Sequence, residues 1–221
     1  ASYIANPTER TTMLFTEWKR MFEQVSTYEL EQLPSLASWA ESMGLPCKDD
    51  PASILFVLHT YYALIVKFLA IELVSASRQM DLGSFIEKLA HSTNSDDFLE
   101  ELQRLENGEV FQDLGIVNFL EGDFFLWYLT QFDSRLEHAL RNIIGIFHTY
   151  EPATPKLNPS RCKDLLKIFY SSIIDGQIRH DLGEYYTPDW LAELVLNRVG
   201  YTGQLNAKLL DPTCGTGTFI V

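Results

Sequence analysis

The sequence predicts a mainly α-helical chain that ends in the first βα elements of a truncated, doubly wound (Rossmann-like) α/β domain. Apolar residues recur at helical spacing between capping residues throughout the first 150 positions. The first convincing strand, "AKLLD" (207–211), comes only near the end and leads into a glycine-rich turn. We therefore predict a helical domain over 1–150, a linker and connecting helix over 151–181, and the start of the α/β domain over 182–221.

Capping residues mark the ends of the predicted helices in the first part. Thr8 precedes "ERTTMLFTEWKRMFEQV", Asp50 stands before a proline at the start of a long apolar helix, and Asp133 precedes "SRLEHALRNIIGIFHTY". Gly44 is a helix stop after "LPSLASWAESM", and "SDDFLEELQRLENG" begins with a serine cap and ends in Asn-Gly. The aromatic run 122–132 is predicted to be a core helix, with a docking surface as the alternative.

The long apolar stretch 54–74 is predicted to be a buried helix at the centre of this domain. It contains His59, Lys67 and Glu72 and lacks a basic flank, which disfavours a membrane span. We expect no signal peptide, because the N-terminus has no basic segment before an apolar core. Three widely spaced cysteines and five histidines without ligand spacing predict reduced thiols, no metal site and a cytoplasmic location.

A proline-rich stretch, "YEPATPKLNP" (150–159), is the predicted boundary between domains. After it, one helix is predicted from Asn158 to Gly176 and a second from a Thr187 cap to Gly200. A lone strand has unpaired N–H and C=O groups on both edges, and a doubly wound sheet needs several strands. We therefore expect the chain to be the front part of a longer protein.

Charge is distributed unevenly along the chain, whose formal net charge is −13. Residues 1–150 carry a net −12, whereas 156–179 carry a net +3. The acidic first part disfavours a broad nucleic-acid-binding face there, so any such contact is expected from the later segment or from elsewhere. The acidic surface is most simply a solvated face, with contact to a partner subunit or mimicry of DNA charge as alternatives.

The segment "LLDPTCGTGTF" has the chemistry of a ligand-binding loop. A strand would deliver Asp211 to its carboxyl end, where open α/β sheets bind ligands. Gly215 and Gly217 allow backbone angles and a close approach that a Cβ atom would block. The loop matches neither the dinucleotide fingerprint nor the phosphate loop, since no lysine follows Gly217. Taken alone it is weak evidence, because such turns are often structural.

A second segment, "LGEYYTPDWLAELV" (182–195), makes the combination specific. "GEYYTP" followed by "DPTCGTGTF" resembles motif X and motif I of the methyltransferases that methylate N6 of adenine in DNA. The resemblance covers residues 182–221. The helical first part also resembles the N-terminal domains of type IIG-like restriction-modification enzymes and of phage-defence (BREX) methyltransferases.

The resemblance implies a binding site for S-adenosylmethionine at the start of a class I methyltransferase domain. Tyr185, Tyr186, Thr187 and Pro188 would line the methionine end of the cofactor, and Asp211 would lie near its amino group. The turn around the cofactor and the aromatic residue behind it would come from Thr213, Cys214, Gly215, Thr216, Gly217 and Phe219. Double-stranded DNA is the implied substrate, bound mainly through regions beyond residue 221, with restriction or defence subunits as candidate partners.

The resemblance assigns these residues to cofactor binding and not to catalysis of the methyl transfer. The family positions the adenine with a later [ND]PP[YF] motif, whose aromatic residue stacks on a flipped-out base. No such motif occurs in the 221 residues, and "LNPS" (157–160) lacks the second proline and the aromatic residue. We therefore predict no catalytic residues in this chain, no activity from it alone and at best feeble cofactor binding.

Two alternative functions are open on the sequence alone. Motifs related to this pair also serve methyltransferases that act on RNA bases or on protein glutamine, so the substrate is not fixed. In a different class of function, residues 1–180 would form an interaction module that assembles with a nuclease, a translocase or another defence partner. The acidic balance and the aromatic helices favour that second alternative.

Overall fold

The computed structural model describes residues 2–25, 34–44, 50–78, 84–119, 124–149, 165–174, 176–181, 185–212, 214 and 217–219. Over these residues the protein is mainly α-helical, which confirms the predicted fold class at that level. The chain divides into two compact units, Ala1–Asn158 and Pro159–Val221. The division falls inside the proline-rich stretch, which itself lies outside the described residues.

The first unit contains eight α-helices and one 3₁₀ helix among its described residues. The α-helices are α1 (Ser2–Ala5), α2 (Glu9–Val25), α3 (Pro34–Ser42), α4 (Pro51–Arg78), α5 (Phe85–His91), α6 (Ser95–Glu106), α7 (Glu109–Asp113) and α8 (Ser134–His148). The 3₁₀ helix, Phe124–Gln131, lies between α7 and α8 in the chain.

Side-chain caps determine where several of these helices begin. Thr8 Oγ1 accepts a hydrogen bond from the backbone N–H of Thr11 (3.2 Å), and Asp50 and Asp133 cap α4 and α8 in the same way. These three predicted caps are confirmed. The predicted serine cap of α6 is wrong, because Asn94 precedes Ser95 and its Oδ1 accepts from the backbone N–H two residues on (2.9 Å).

Two helices end at glycines that adopt a left-handed backbone conformation. Gly44, after α3, has a φ of +72°, and Gly108, after α6, has a φ of +75°. The N–H of Gly44 donates to the carbonyl of Glu41 (2.9 Å), which satisfies one of the last carbonyls of the helix. Both helix stops were predicted at these glycines and are confirmed.

Helix α4 forms the centre of the first unit, where it contacts α2, α3, α5 and the 3₁₀ helix. By length and composition alone, Pro51–Ser75 is long and apolar enough to cross a membrane. Half of the most apolar part of this helix is nevertheless buried within the fold. Its charged residues Lys67 and Glu72 are also buried, and they bond to Glu106 and to the backbone N–H of Ile86. This packing is that of a core helix, as predicted.

The aromatic run before α8 lies in the core, as predicted, but it forms a 3₁₀ helix. Trp127 and Tyr128 are almost fully buried. Trp127 Nε1 donates to Thr60 Oγ1 (2.8 Å), and the Tyr128 hydroxyl donates to Glu106 Oε1 (2.8 Å). Each buried polar atom of the two rings therefore has a partner, which removes the cost of burying it.

His59 projects from α4 into a group of aromatic rings. The centroids of Trp18, Phe22 and Phe125 lie 5.7, 5.8 and 6.1 Å from the centroid of its imidazole. Burial in these apolar surroundings disfavours the charged form and lowers the pKa of His59 from 6.5 to about 4. The folded protein therefore keeps this imidazole neutral at pH values at which the unfolded chain protonates it.

Acidification from pH 6.5 to 4 is expected to remove roughly 2–3 kcal/mol of unfolding free energy through His59. The loss is absent well above pH 6.5, where neither state binds the proton, and accumulates as the pH falls through 6.5 toward the folded-state pKa of about 4. In urea unfolding followed by tryptophan fluorescence, His59→Phe should flatten this part of the pH dependence. His138→Gln, at an exposed position on α8, should leave it unchanged. An equal pH dependence in wild type and His59→Phe would contradict the lowered pKa.

The second unit has three described helices, α9 (Leu165–Ile173), α10 (Gly176–Asp181) and α11 (Asp189–Arg198). Tyr170 of α9, Ile174 between the two helices and Ile178 of α10 are almost fully buried. The predicted stop at Gly176 is wrong, because α9 ends earlier and this glycine begins α10. Residues 158–164 of the predicted helix lie outside the described residues.

Residues 207–211 do not form the predicted strand. They have no regular secondary structure, and 207–210 are exposed. Strands are stabilised by hydrogen bonds to neighbouring strands, and the described residues contain no second strand with which this segment pairs. The predicted βα elements are therefore not formed in the described structure.

Large apolar side chains are exposed along much of 185–210. Helix α11 exposes Trp190, Leu194 and Val195 although Ala192 on the same helix is buried. The following coil also exposes Val199, Leu205, Leu209 and Leu210. A concentration of exposed apolar side chains marks a surface that other groups usually cover. Apolar side chains are therefore concentrated on the exposed surface of this segment.

Candidate cofactor-binding site

The tyrosine pair of the predicted site lies immediately before α11. Tyr185 is 71% exposed, whereas Tyr186 and Thr187 are partly buried and Pro188 is exposed. All four residues lack regular secondary structure. The segment therefore presents one aromatic ring to solvent and holds the next against the protein.

The predicted N-cap of α11 is wrong. Pro188, not Thr187, occupies the N-cap position, and its carbonyl accepts hydrogen bonds from the backbone N–H groups of Leu191 (2.9 Å) and Ala192 (3.0 Å). Proline has no side-chain acceptor, so the N-cap residue makes no side-chain hydrogen bond to the helix. The helix therefore begins after Pro188, whose backbone is extended and whose carbonyl accepts the first helical hydrogen bonds.

Helices α9 and α10 supply the surroundings of the two tyrosines. The Tyr186 ring packs edge-on against Tyr170 of α9, with the centroids 6.1 Å apart and the planes at 89°. The Tyr185 ring packs edge-on against His180 of α10 at 5.6 Å. The two tyrosines therefore form an aromatic group with rings of α9 and α10, two preceding helices of the second unit.

Arg179 adds a positive charge to this group. The carbon of its guanidinium lies 6.0 Å from the centroid of the Tyr186 ring, at the limit of a cation–π contact. Its Nε donates to the carbonyl of Ile174 (3.2 Å), the residue after α9, which fixes the side chain. The aromatic group therefore includes an oriented guanidinium, which suits an anionic ligand group.

The glycine-rich loop contains a tight turn. The N–H of Gly217 donates to the carbonyl of Cys214 (2.7 Å), and the φ of Gly217 is +86°. A residue with a Cβ atom adopts that angle only at a cost, so the predicted need for glycine at this position is confirmed. Cys214 is exposed and forms no disulfide with another described residue.

The other loop residues flank this turn. Asp211 and Phe219 are partly buried, and Pro212 is exposed. Thr213, Gly215 and Thr216, which were also predicted to bind the cofactor, lie outside the described residues. The tyrosines of the predicted site therefore contact α9 and α10, and the loop forms a turn of its own.

Sequence reasoning missed Tyr170, Arg179 and His180 as members of the tyrosine group. Arg179 and His180 lie only a few residues before the tyrosines, but nothing in the sequence pattern indicated ring contacts. Over the described residues, no three His, Cys, Asp or Glu side chains converge as metal ligands would.

Comparison with known proteins identifies no relative of this chain. No protein-family model matches the chain, and neither a curated protein nor a solved structure matches it.

Proposed function

We propose that this chain is the N-terminal part of an S-adenosylmethionine-dependent DNA methyltransferase that acts on N6 of adenine, in a restriction-modification or phage-defence system. The observation that carries the proposal is the pair "GEYYTP" and "DPTCGTGTF", in that order and about 25 residues apart. Residues 182–221 would open a Rossmann-like domain, and the helical unit would be the N-terminal domain that precedes it.

The chemistry of the described side chains supports cofactor binding. S-adenosylmethionine carries an amino group and a carboxylate at its methionine end. Asp211 offers a carboxylate for the amino group, and the guanidinium of Arg179 beside Tyr186 offers a charge complement to the carboxylate. The Gly217 turn allows the backbone to come close to the ligand.

The exposed apolar surface of 185–210 supports a larger α/β domain. In a doubly wound fold, helices pack their apolar faces on the sheet, and a strand gains its partners from the same sheet. Trp190, Leu194 and Leu210 are exposed and therefore available for such a layer. A sheet that contains 207–211 would bury them and would pair the backbone of that segment.

The cofactor supplies an electrophilic methyl group on its sulfonium. The residues of this chain would hold and orient it, so that an adenine amino group can attack in line with the departing sulfur. Adenine itself would be bound by the [ND]PP[YF] motif that follows motif I in the family, which these 221 residues lack. The chain alone is therefore proposed to be inactive.

Replacing Gly217 with alanine is expected to weaken S-adenosylmethionine binding by the full-length gene product about ten-fold or more. A non-glycine residue at a φ of +86° costs of order 1–3 kcal/mol, and a shifted turn misplaces the loop around the cofactor. Titration calorimetry measures the effect.

Gly203→Ala is the matched control, because Gly203 lies in the same unit with a φ of +87° and open space around it. It introduces the same backbone strain outside the loop, so the cofactor affinity should stay within about two-fold of wild type. Equal loss of affinity in both variants would assign the effect to stability and would count against the loop as a cofactor site.

A second candidate function is an interaction module formed by the helical unit. The observation that favours it is the net charge of −12 over residues 1–150, which suits a basic partner surface. Removing this region from the full-length gene product distinguishes the two roles. Undiminished methylation with loss of a copurifying subunit supports partner binding, whereas loss of DNA binding supports a role in handling the substrate.

A further inference from the structure

The C-terminal ends of α5 and α8 bring two histidines together. The ring centroids of His91 and His148 are 5.6 Å apart, with the planes at 75°. Each is the last residue of its helix, and each is exposed to solvent. The two rings belong to distant parts of the sequence, so their spacing in the chain gave no indication of the pair.

The hydrogen bonding of His91 leaves one ring nitrogen available as a ligand. Nδ1 of His91 lies 2.8 Å from the backbone carbonyl oxygen of Glu87. A carbonyl oxygen only accepts, so Nδ1 carries the hydrogen, and in the neutral ring the lone pair is on Nε2. Metal-binding histidines are commonly oriented by such an N–H to carbonyl bond.

The electrostatic surroundings favour a cation at this position. Two helices end here, and each helix C-terminus carries a partial negative charge on its last carbonyls. The basic side chains on the same two helices that lie nearest along the chain are already paired. Lys88 Nζ lies 2.7 Å from Glu101 Oε1, and Arg141 Nη2 lies 2.8 Å from Glu137 Oε1.

We propose that His91 and His148 form a two-histidine site for a divalent cation that prefers imidazole, such as Ni²⁺, Zn²⁺ or Cu²⁺. Metal–nitrogen bonds of about 2.0–2.1 Å at a tetrahedral angle place two imidazole centroids roughly 5 Å apart, close to the observed 5.6 Å. Water completes the coordination sphere, since the described residues contribute no cluster of three ligands. Imidazole selects these ions over Mg²⁺ and Ca²⁺.

The bound ion joins the last turn of α5 to the last turn of α8. These helices already pack together, and the Arg141 guanidinium donates to the carbonyl of Ser92, the residue after α5. The site adds a second link at the same end of the pair. It is independent of the proposed methyltransferase function, because both histidines lie in the helical unit.

Titration of NiCl₂ into the tag-free, EDTA-treated chain near neutral pH tests the site. We expect one ion per chain in wild type and at least a ten-fold weaker affinity in His91→Ala and in His148→Ala. His138→Ala is the matched control, since His138 is an exposed histidine on α8 that lies away from the pair in sequence, and it should change the affinity by less than two-fold. With Cu²⁺, electron paramagnetic resonance should show two nitrogen ligands in wild type and fewer in either variant.

Circular dichroism of the metal-free variants separates loss of a ligand from loss of the fold, because both histidines are exposed and their replacement should leave the helical signal unchanged. His91→Gln and His148→Gln provide second variants if either alanine variant loses helicity. The proposal is overturned if wild type binds no ion, or if the affinity is the same in wild type and in folded variants of His91 and His148. It is equally overturned if His138→Ala lowers the affinity as much as the variants of His91 and His148 do.

Discussion

Replacing Lys67 with methionine is expected to cost the protein about 3–5 kcal/mol of unfolding free energy. Lys67 Nζ lies 2.6 Å from Glu106 Oε2 in the interior of the first unit, and both side chains are only 2% exposed. The substitution removes the charge that offsets the Glu106 carboxylate and leaves that carboxylate in the core. The loss is comparable with the whole stability of many domains, which is about 5–15 kcal/mol.

Urea unfolding followed by tryptophan fluorescence measures this loss, and a surface ion pair provides the control. Arg20 lies 2.7 Å from Glu17 in an exposed pair of similar length, so Arg20→Met should cost less than about 1 kcal/mol. A loss this small for Lys67→Met would contradict the account of the buried pair.

Removing both charges of the buried pair should recover most of the stability. The Tyr128 hydroxyl donates to the other oxygen of Glu106, at 2.8 Å, so it must be removed together with the carboxylate. The triple variant Lys67→Met, Glu106→Leu and Tyr128→Phe should be more stable than Lys67→Met alone, because it leaves none of these three polar groups buried. If the triple variant is the least stable, the cost comes from packing and not from charge.

Replacing Phe56 with alanine is expected to cost about 3–5 kcal/mol. Phe56 is fully buried on α4, where its ring lies among those of Phe15, Trp18, Phe125 and Trp127, with centroids 5.2, 5.1, 5.7 and 6.2 Å away. Truncation removes this contact area and leaves a cavity between α2, α4 and the 3₁₀ helix. The surrounding rings cannot collapse into it without leaving their own packing positions.

Chemical unfolding of Phe56→Ala beside Met13→Ala tests this interpretation. Met13 is 55% exposed on α2, so its truncation should change stability by no more than about 0.5 kcal/mol. A small effect at both positions would show that the rings around Phe56 do not hold α2, α4 and the 3₁₀ helix together.

Much of the helical architecture was predictable because helix ends are encoded locally. The side-chain oxygens of Thr8, Asp50 and Asp133 accept hydrogen bonds from backbone N–H groups only two or three residues further on. A short stretch of sequence is therefore sufficient to predict where these helices begin. Gly44 and Gly108 end helices for an equally local reason. The even distribution of apolar residues around α4 correctly predicted its central position.

Interactions between distant residues were not predictable from the same patterns. Lys67 served only as an argument against a membrane span, and nothing along the chain indicated its pairing with Glu106 on another helix. The contact between His91 and His148 likewise depends on how α5 packs against α8. Tertiary contacts of this kind follow from the fold as a whole and not from spacing in the sequence.

In the segment of the candidate site, features that depend on local backbone geometry were easier to predict than features that depend on distant residues. The turn at Gly217 follows from glycine's freedom at positive φ, which the sequence already indicates. The strand predicted at 207–211 would need neighbouring strands to pair with, and the described residues contain none. The cap of α11 shifted from Thr187 to Pro188 because backbone geometry at proline competes with a side-chain cap.

Methyl transfer by the full-length gene product tests the central claim most directly. The product is incubated with S-adenosylmethionine labelled in its methyl group and with DNA that lacks adenine methylation, with RNA or with protein, and the digests are separated by mass spectrometry. The account predicts label in N6-methyladenine from DNA, and loss of this label in Asp211→Ala. Label found only in RNA or protein, or no transfer to any of the three, would contradict it.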